Sequence, residues 1–322
     1  MKTMTLSLMI TVLMTACSFA EVGTFLTEEG TGPDYAIQGE YEGEVNHDGN
    51  RVRLGFQVIA LGEHKFDGVA YPGGLPGDGW SGEEKFPATG STVDGFTKIS
   101  TEGHGYLMVG NGEFVLNDEN GETVGTLRKV YRKSPTIGAK PPEGAVVLFD
   151  GKSSDQFERG MLTMNDLLAA DCETKEKFGD HTLHIEFRTP FKPAARGQER
   201  GNSGVYIQGR YECQVLDSFG LEGENNECGG IYSIARPKVN ACFPPLTWQT
   251  YDMDFKAAVF ENDKKIKNAR VTILQNGILI HDDLELTHGT PGKHPEAAGP
   301  DVIYLQGHGN PVVYRNIWVV KK

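Results

Sequence analysis

The sequence predicts an all-β protein: a β-sandwich in the C-terminal half, preceded by a smaller antiparallel β module. Three observations predict it. Short runs alternate apolar and polar residues, the period of a half-buried strand. Gly and Asp/Asn clusters separate those runs at short intervals. Glycine accounts for 41 of the 322 residues and hydrophobic residues for 38%, a balance that favours turns over long helices. One stretch, residues 164–170, reads as helix-like, and it is short.

Residues 1–20 read as a targeting segment. Lys2 precedes an apolar run over residues 4–14, and Ser18-Phe19-Ala20 resembles a cleavage site before Glu21. Met14-Thr15-Ala16-Cys17 resembles a lipobox, in which Cys17 would be acylated and retained. Both readings predict an exported protein: periplasmic, secreted or lipid-anchored. The run is too short to span a bilayer comfortably, and no later run of 18 or more apolar residues follows, so no transmembrane helix is expected.

Residues 21–135 form the small module. Val52, Leu54, Phe56 and Val58 alternate, and His47-Asp48-Gly49-Asn50 and Asn117-Asp118-Glu119-Asn120-Gly121 punctuate the pattern as turns. The Gly-rich loop around Trp80 lacks the Lys-Ser/Thr ending and following helix of a phosphate loop. No catalytic constellation is visible here. Ser134 to Gly144, with Pro135, Pro141, Pro142 and two glycines, reads as a linker, placed at residues 136–144.

Residues 145–322 form the sandwich. Leu183, Ile185 and Phe187 point one way, and His184, Glu186 and Arg188 the other. Val205 and Ile207 oppose Tyr206 and Gln208, and a tight turn at Gly209-Arg210 leads into residues 211–216. Gln275-Asn276-Gly277-Ile278 is the clearest hairpin, because Asn-Gly suits a type I′ turn. Several short strands with turns between them argue a sandwich.

The formal net charge of −13 argues against nucleic acid, whose binding relies on Lys and Arg at the phosphates. A neutral sugar fits it. Cys172, Cys213, Cys228 and Cys242 are an even set in an oxidising compartment, readable as disulfides of undecided pairing or as buried small hydrophobes. No cofactor is required by the sequence. A divalent metal is compatible with the oxygen-rich loop 221–227, although the EF-hand pattern is absent.

Chemistry concentrates in GNSGVYIQGRYECQVLDSFG, residues 201–220. Glu212, Gln214 and Asp217 carry the spacing of the Glu-x-Asp-x-x-Glu strand of jelly-roll glucanases, with Gln in the middle and Asp last. A retaining glycosidase needs two carboxyls about 5–5.5 Å apart, which Gln214 and the shorter Asp217 do not readily supply. If His184, Glu186 and Arg188 face the same side as Glu212 and Gln214, one concave face would hold acid, base and cation. His308, in the polar turn Gln306-Gly307-His308-Gly309-Asn310-Pro311, has a side chain that titrates near neutrality.

With these residues in view, residues 145–322 resemble the 3-keto-disaccharide hydrolase domain family, also described as 3-keto-glucoside 1,2-lyase/3-keto-2-hydroxy-glucal hydratase. The marks are Leu148-Phe149-Asp150-Gly151-Lys152, Thr174-Lys175, Phe178-Gly179-Asp180, Glu186-Phe187-Arg188, Gly201-Asn202-Ser203-Gly204, Tyr211-Glu212-Cys213-Gln214, Trp248-Gln249-Thr250-Tyr251-Asp252 and Arg315-Asn316-Ile317-Trp318. Two positions depart from the family: Phe157 replaces a usual Trp, and Gly307 a frequent Asp. The resemblance implies a concanavalin A-like jelly roll and a route in which a base removes the proton at carbon 2 of a 3-keto-glycoside. The enolate is stabilised, the aglycone leaves carbon 1 and water adds back. On this expectation Glu212 or His308 is the base, and Lys175 or Arg188 stabilises the enolate. Glu186 is the acid or orients Arg188, and Asn202, Tyr206, Gln208, Gln214, Asp217, Gln306 and Asn310 bind hydroxyls. A partner oxidoreductase would make the keto-sugar, and the first module would bind substrate or that partner. An ordinary jelly-roll glycosidase and a non-catalytic carbohydrate-binding module remain alternatives.

Overall fold

The computed structural model describes residues 23–110 and 112–322; the targeting segment and Cys17 lie outside the described residues. Eight antiparallel strands, from Gly39–His47 to Thr123–Val130, close into a barrel in which each strand pairs with the next and the first with the last. Closure leaves no free sheet edge. The alternating run read from the sequence lies in the strand Asn50–Gly62 and sends Phe56 and Val58 into a core with Tyr41, Phe66, Phe114 and Leu127.

The rest of the chain forms two facing sheets. The smaller has strand order Phe157–Glu158, Cys172–Thr174, Tyr304–Leu305, Ser203–Ile207, Tyr211–Val215. The larger centres on Val313–Lys321, His181–Arg188, Gln249–Lys256 and Ala269–Gln275. Leu183, Ile185, Phe187, Tyr251 and Met253 from the larger sheet meet Val205, Ile207, Cys213, Val215 and Leu305 from the smaller in one buried cluster. This is the sandwich that the alternation predicts. The four cysteines in it are buried and unbridged. No helix among the described residues is long and apolar enough to cross a membrane.

Two local expectations are corrected. Residues 164–170 are not helical: Leu162–Thr163 and Leu167–Ala169 pair as a short hairpin, because Met164 and Asn165 take positive φ angles of 48° and 76° that a right-handed helix cannot contain. The described α-helix, Pro33–Ile37, lies instead before the barrel. The Pro-rich connection is no free spacer either. Ser134 Oγ lies 2.6 Å from Thr250 Oγ1, and Thr136 Oγ1 donates to Asp252 Oδ2 at 2.6 Å. Ala139 O accepts from Asn316 and Trp318. The connection therefore lies against the larger sheet's outer face.

Barrel and sandwich also meet through side chains. Phe219 packs with Ile59, Val69 and Tyr71, and Phe191 and Leu246 join the barrel's apolar cluster. Arg200 Nη1 reaches Ala60 O at 3.2 Å.

At the Asn276-Gly277 turn both residues have positive φ, 53° and 79°, as a type I′ hairpin requires. A Cβ on Gly277 would lie 2.5 Å from Pro135 Cγ, so the turn also seats the connection. Gly277→Ala is expected to lower unfolding free energy by about 1–3 kcal/mol, read as a reduced urea midpoint with an unchanged m-value.

Candidate active site

The strands Ser203–Ile207 and Tyr211–Val215 pair so that Tyr206 stands opposite Glu212 and Gly204 opposite Gln214. The turn centres on Gln208 and Gly209, with φ angles of 53° and 61°, one residue earlier than the sequence suggests. Because Val205, Ile207, Cys213 and Val215 face the core, Tyr206, Glu212 and Gln214 project from the opposite, outer face. Gly204 makes room there: a Cβ at this position would stand 2.4 Å from Glu212 Oε1.

Glu212 is 4% exposed. Its Oε2 lies 2.8 Å from the Tyr206 hydroxyl, which is also 3.0 Å from Pro291 O and accepts from Gln306 Nε2 at 3.1 Å. A phenol has one proton to give. When Glu212 is ionised that proton goes to the carboxylate. When Glu212 is protonated it can donate to Tyr206, which then turns to Pro291 O. Burial pushes the Glu212 carboxyl up to about 7, against the Tyr206 hydrogen bond, which favours the ion. No second carboxylate contributes to this shift. Burial, then the neighbouring Glu212 charge, raises Tyr206 far above an ordinary phenol and keeps it a neutral donor.

Around this pair lie acceptors with nothing to accept. Asn202 and Gln214 both donate to Gln198 Oε1 at 2.9 Å, leaving Asn202 Oδ1 and Gln214 Oε1 buried without a partner, as is Gln306 Oε1. Unpaired buried carbonyls are costly and suit a ligand rich in hydroxyl donors. Residues 287–300 cover the site. Thr290 Oγ1 accepts the Glu212 N–H at 2.9 Å, and Gly292 lies so close that a Cβ would be 2.3 Å from the Tyr206 hydroxyl. Among the described residues, no group of three or more His, Cys, Asp and Glu is placed to hold a metal ion.

The expectation of one shared catalytic face is overturned. His184, Glu186 and Arg188 belong to the larger sheet and Glu212 to the smaller. Each set points away from the common core, so the two sets occupy opposite outer faces of the sandwich. Nor is Glu186 suited to be an acid. Burial would raise its pKa, but His184, Asn316, the Gly138 N–H and Arg315 together hold it down to about 2. It orients Arg315, at 2.7 Å, and not Arg188. Burial opposes the charge on His184, yet Asp252 and Glu186 on either side hold its pKa above the ordinary value.

Other expected ligands are engaged by the protein. Asp217 forms a buried ion pair with Arg200, Oδ2 to Nε 2.7 Å. Gln208 donates to Phe178 O and accepts from Arg210. Asn310 Oδ1 accepts from Lys192 and from the Gly201 N–H. Lys175 and His308 are exposed, with no contact that brings either to Glu212. The structure thus brings together Asn202, Tyr206, Glu212, Gln214 and Gln306. Sequence reasoning missed Gln198 and Thr290, which carry no local pattern. It also missed Asp171, whose side chain lies against Gly307: a Cβ there would be 2.5 Å from Asp171 Cβ.

Residues 144–320 match the model of the 3-keto-alpha-glucoside-1,2-lyase-like domain. No curated protein matches the chain. A provisionally named glycosyl hydrolase from Parabacteroides distasonis ATCC 8503, solved at 2.13 Å, is 32% identical, with a TM-score of 0.51 over 56% of this chain and 85% of that one. A second from the same organism is 16% identical, with a TM-score of 0.43 over 56% and 94%.

The raised Glu212 pKa has a signed consequence. The folded chain holds a proton that the unfolded chain releases above about pH 4.5, so this contribution to stability is complete below that value and is lost as pH rises through 7. Glu212→Gln removes the dependence. Relative to wild type, the variant should gain roughly 3 kcal/mol between pH 4 and pH 8, measured as the difference of two denaturant titrations at each pH.

Proposed function

The chain belongs to the 3-keto-alpha-glucoside-1,2-lyase-like domain family, and from that premise we propose that it cleaves 3-keto-glycosides by elimination followed by hydration. The observation that carries this reading is the lone buried carboxyl of Glu212, poised near neutrality with no carboxylate neighbour. A keto group at carbon 3 acidifies the hydrogen on carbon 2, and removing it requires a base whose pKa lies near the working pH. Paired-carboxylate hydrolysis would require a second carboxyl beside the first. Gln214 is an amide and Asp217 is held by Arg200.

Glu212 takes the carbon-2 proton. Tyr206, still a neutral phenol, donates to the enolate oxygen that develops. Asn202 Oδ1, Gln214 Oε1 and Gln306 Oε1 accept hydroxyl protons of the sugar. Collapse of the enolate expels the aglycone from carbon 1, and the aglycone takes up the proton that Glu212 removed. Water then adds across the resulting double bond, with its hydroxyl at carbon 1 and its proton at carbon 2. Sugar reaches Glu212 only when residues 287–300 lift from Tyr206, so closure afterwards excludes bulk water. The N-terminal signal supports export, and the need for a pre-oxidised sugar supports a partner oxidoreductase upstream.

The test follows the carbon-2 hydrogen. In deuterium oxide the wild type should release aglycone from a 3-keto-glucoside with deuterium appearing at carbon 2, and leave the unoxidised parent intact. Glu212→Gln should lower turnover by about 10²–10⁴-fold, and wild-type kcat/KM should rise through an apparent pKa near 7. Equal cleavage of the parent glycoside, or full turnover by Glu212→Gln, would sink the reading.

A further inference from the structure

The opposite outer face of the sandwich carries a cavity of about 560 Å³ that the chemistry at Glu212 does not use. Its volume lies within the range of small-ligand sites. Two guanidinium groups stand in it. Arg315 lies 3.9 Å from the centre of the Trp248 ring and Arg188 lies 4.9 Å from it. Arg315 spends its Nε on Glu186 and remains 35% exposed. Arg188 contacts Met164 Sδ at 3.7 Å, and among the described residues no carboxylate stands within ion-pairing distance of it.

The one carboxylate at the floor is already saturated. Glu186 accepts from the Gly138 N–H, Asn316 and Arg315 at 2.6, 2.9 and 2.7 Å. It has little capacity left for Arg188. Two cations sharing one aromatic ring repel each other, and desolvation and this repulsion both act against the charge on Arg188. A planar oxyanion bridging the free guanidinium edges relieves both costs, since guanidinium presents parallel N–H groups that match a carboxylate.

The rim has the other polarity. Asp150 and Asp166 line the cavity mouth; Asp150 pairs with exposed Lys152, and Asp166 is exposed. Carboxylates there repel a second anionic group and accept protons from hydroxyls. A ligand that suits this cavity has a carboxylate at one end and hydroxyls at the other. We propose that the cavity between Arg188, Arg315 and Trp248 is a second carbohydrate site that binds a uronate residue through its carboxylate.

This site is independent of the reaction at Glu212, so its test is a binding measurement on the full chain. Calorimetric titrations would use glucuronate, glucose and inorganic sulfate as separate probes. Glucuronate should bind at least about tenfold more tightly than glucose and than sulfate, a gap of one decade in Kd. Arg188→Ala should weaken glucuronate at least tenfold, whereas Glu212→Gln should bind it like wild type. A thermal melt of Arg188→Ala checks that the variant is folded, and the wild-type probe comparison stands without any variant. Equal affinity for glucose and glucuronate, sulfate binding as tightly as glucuronate, no measurable glucuronate binding, or unchanged binding in Arg188→Ala would each overturn the proposal.

Discussion

The apolar layer between the two sheets constrains everything else in the C-terminal half. Leu183, Ile185 and Phe187 must meet Val205, Cys213 and Val215 to remove their surface from water. Strand geometry then sends each intervening residue away from the core. For the larger sheet that means His184, Glu186 and Arg188; for the smaller, Tyr206, Glu212 and Gln214. Two polar faces arise from one core, and they cannot converge on one ligand. The separation of the Glu212 cradle from the Arg188 cavity is a consequence of the sandwich, not a detail of either site.

Burial treats the acids on these faces differently because their partners differ. Glu186 has Arg315, Asn316, the Gly138 N–H and His184, which together hold its pKa down; Asp217 has Arg200 at 2.7 Å, yet burial outweighs that partner and raises its carboxyl. Each has a cationic partner, and removing that partner would leave a buried ion uncompensated. Among the described residues, the Glu212 carboxyl has only a phenol for a partner. Low dielectric with a single weak donor leaves the carboxyl balanced between its two protonation states. That balance suits proton transfer, and it exists because Gly204 lets the carboxyl in without supplying a counter-charge.

The barrel and the connection act on both faces. Arg200 links the Asp217 carboxylate to Ala60 O of the barrel, and this fixes the chain on either side of the Glu212 hairpin. On the other face the connection brings Gly138 to Glu186 and Ala139 to Asn316 and Trp318. Composition made that segment look like a spacer because Pro and Gly report backbone stiffness and turns. They do not report the side chains that a segment will meet.

Much of the architecture was legible in the residues. Period-2 alternation at 183–188 and 205–207 identified strands and their buried faces, and Asn276-Gly277 identified a turn, because these depend on local backbone sterics and burial alone. In the row Glu212, Gln214 and Asp217, the first two were readable as one polar face of a hairpin strand, whereas Asp217 is held by Arg200. Three things were not readable. Which strands share a sheet depends on pairings between segments distant in sequence, so Glu186 and Glu212 could be placed together wrongly. Which polar side chain is free and which is spent depends on partners such as Arg200 for Asp217 and Phe178 O for Gln208, contributed by other elements. And the pKa of Glu212 depends on burial, to which elements distant in sequence contribute, Thr290 and Gly292 among them. The sequence by itself determined the strands, their inward faces and the chemical groups on offer; only the tertiary structure decided which of those groups meet, because electrostatics and desolvation act through space and not along the chain.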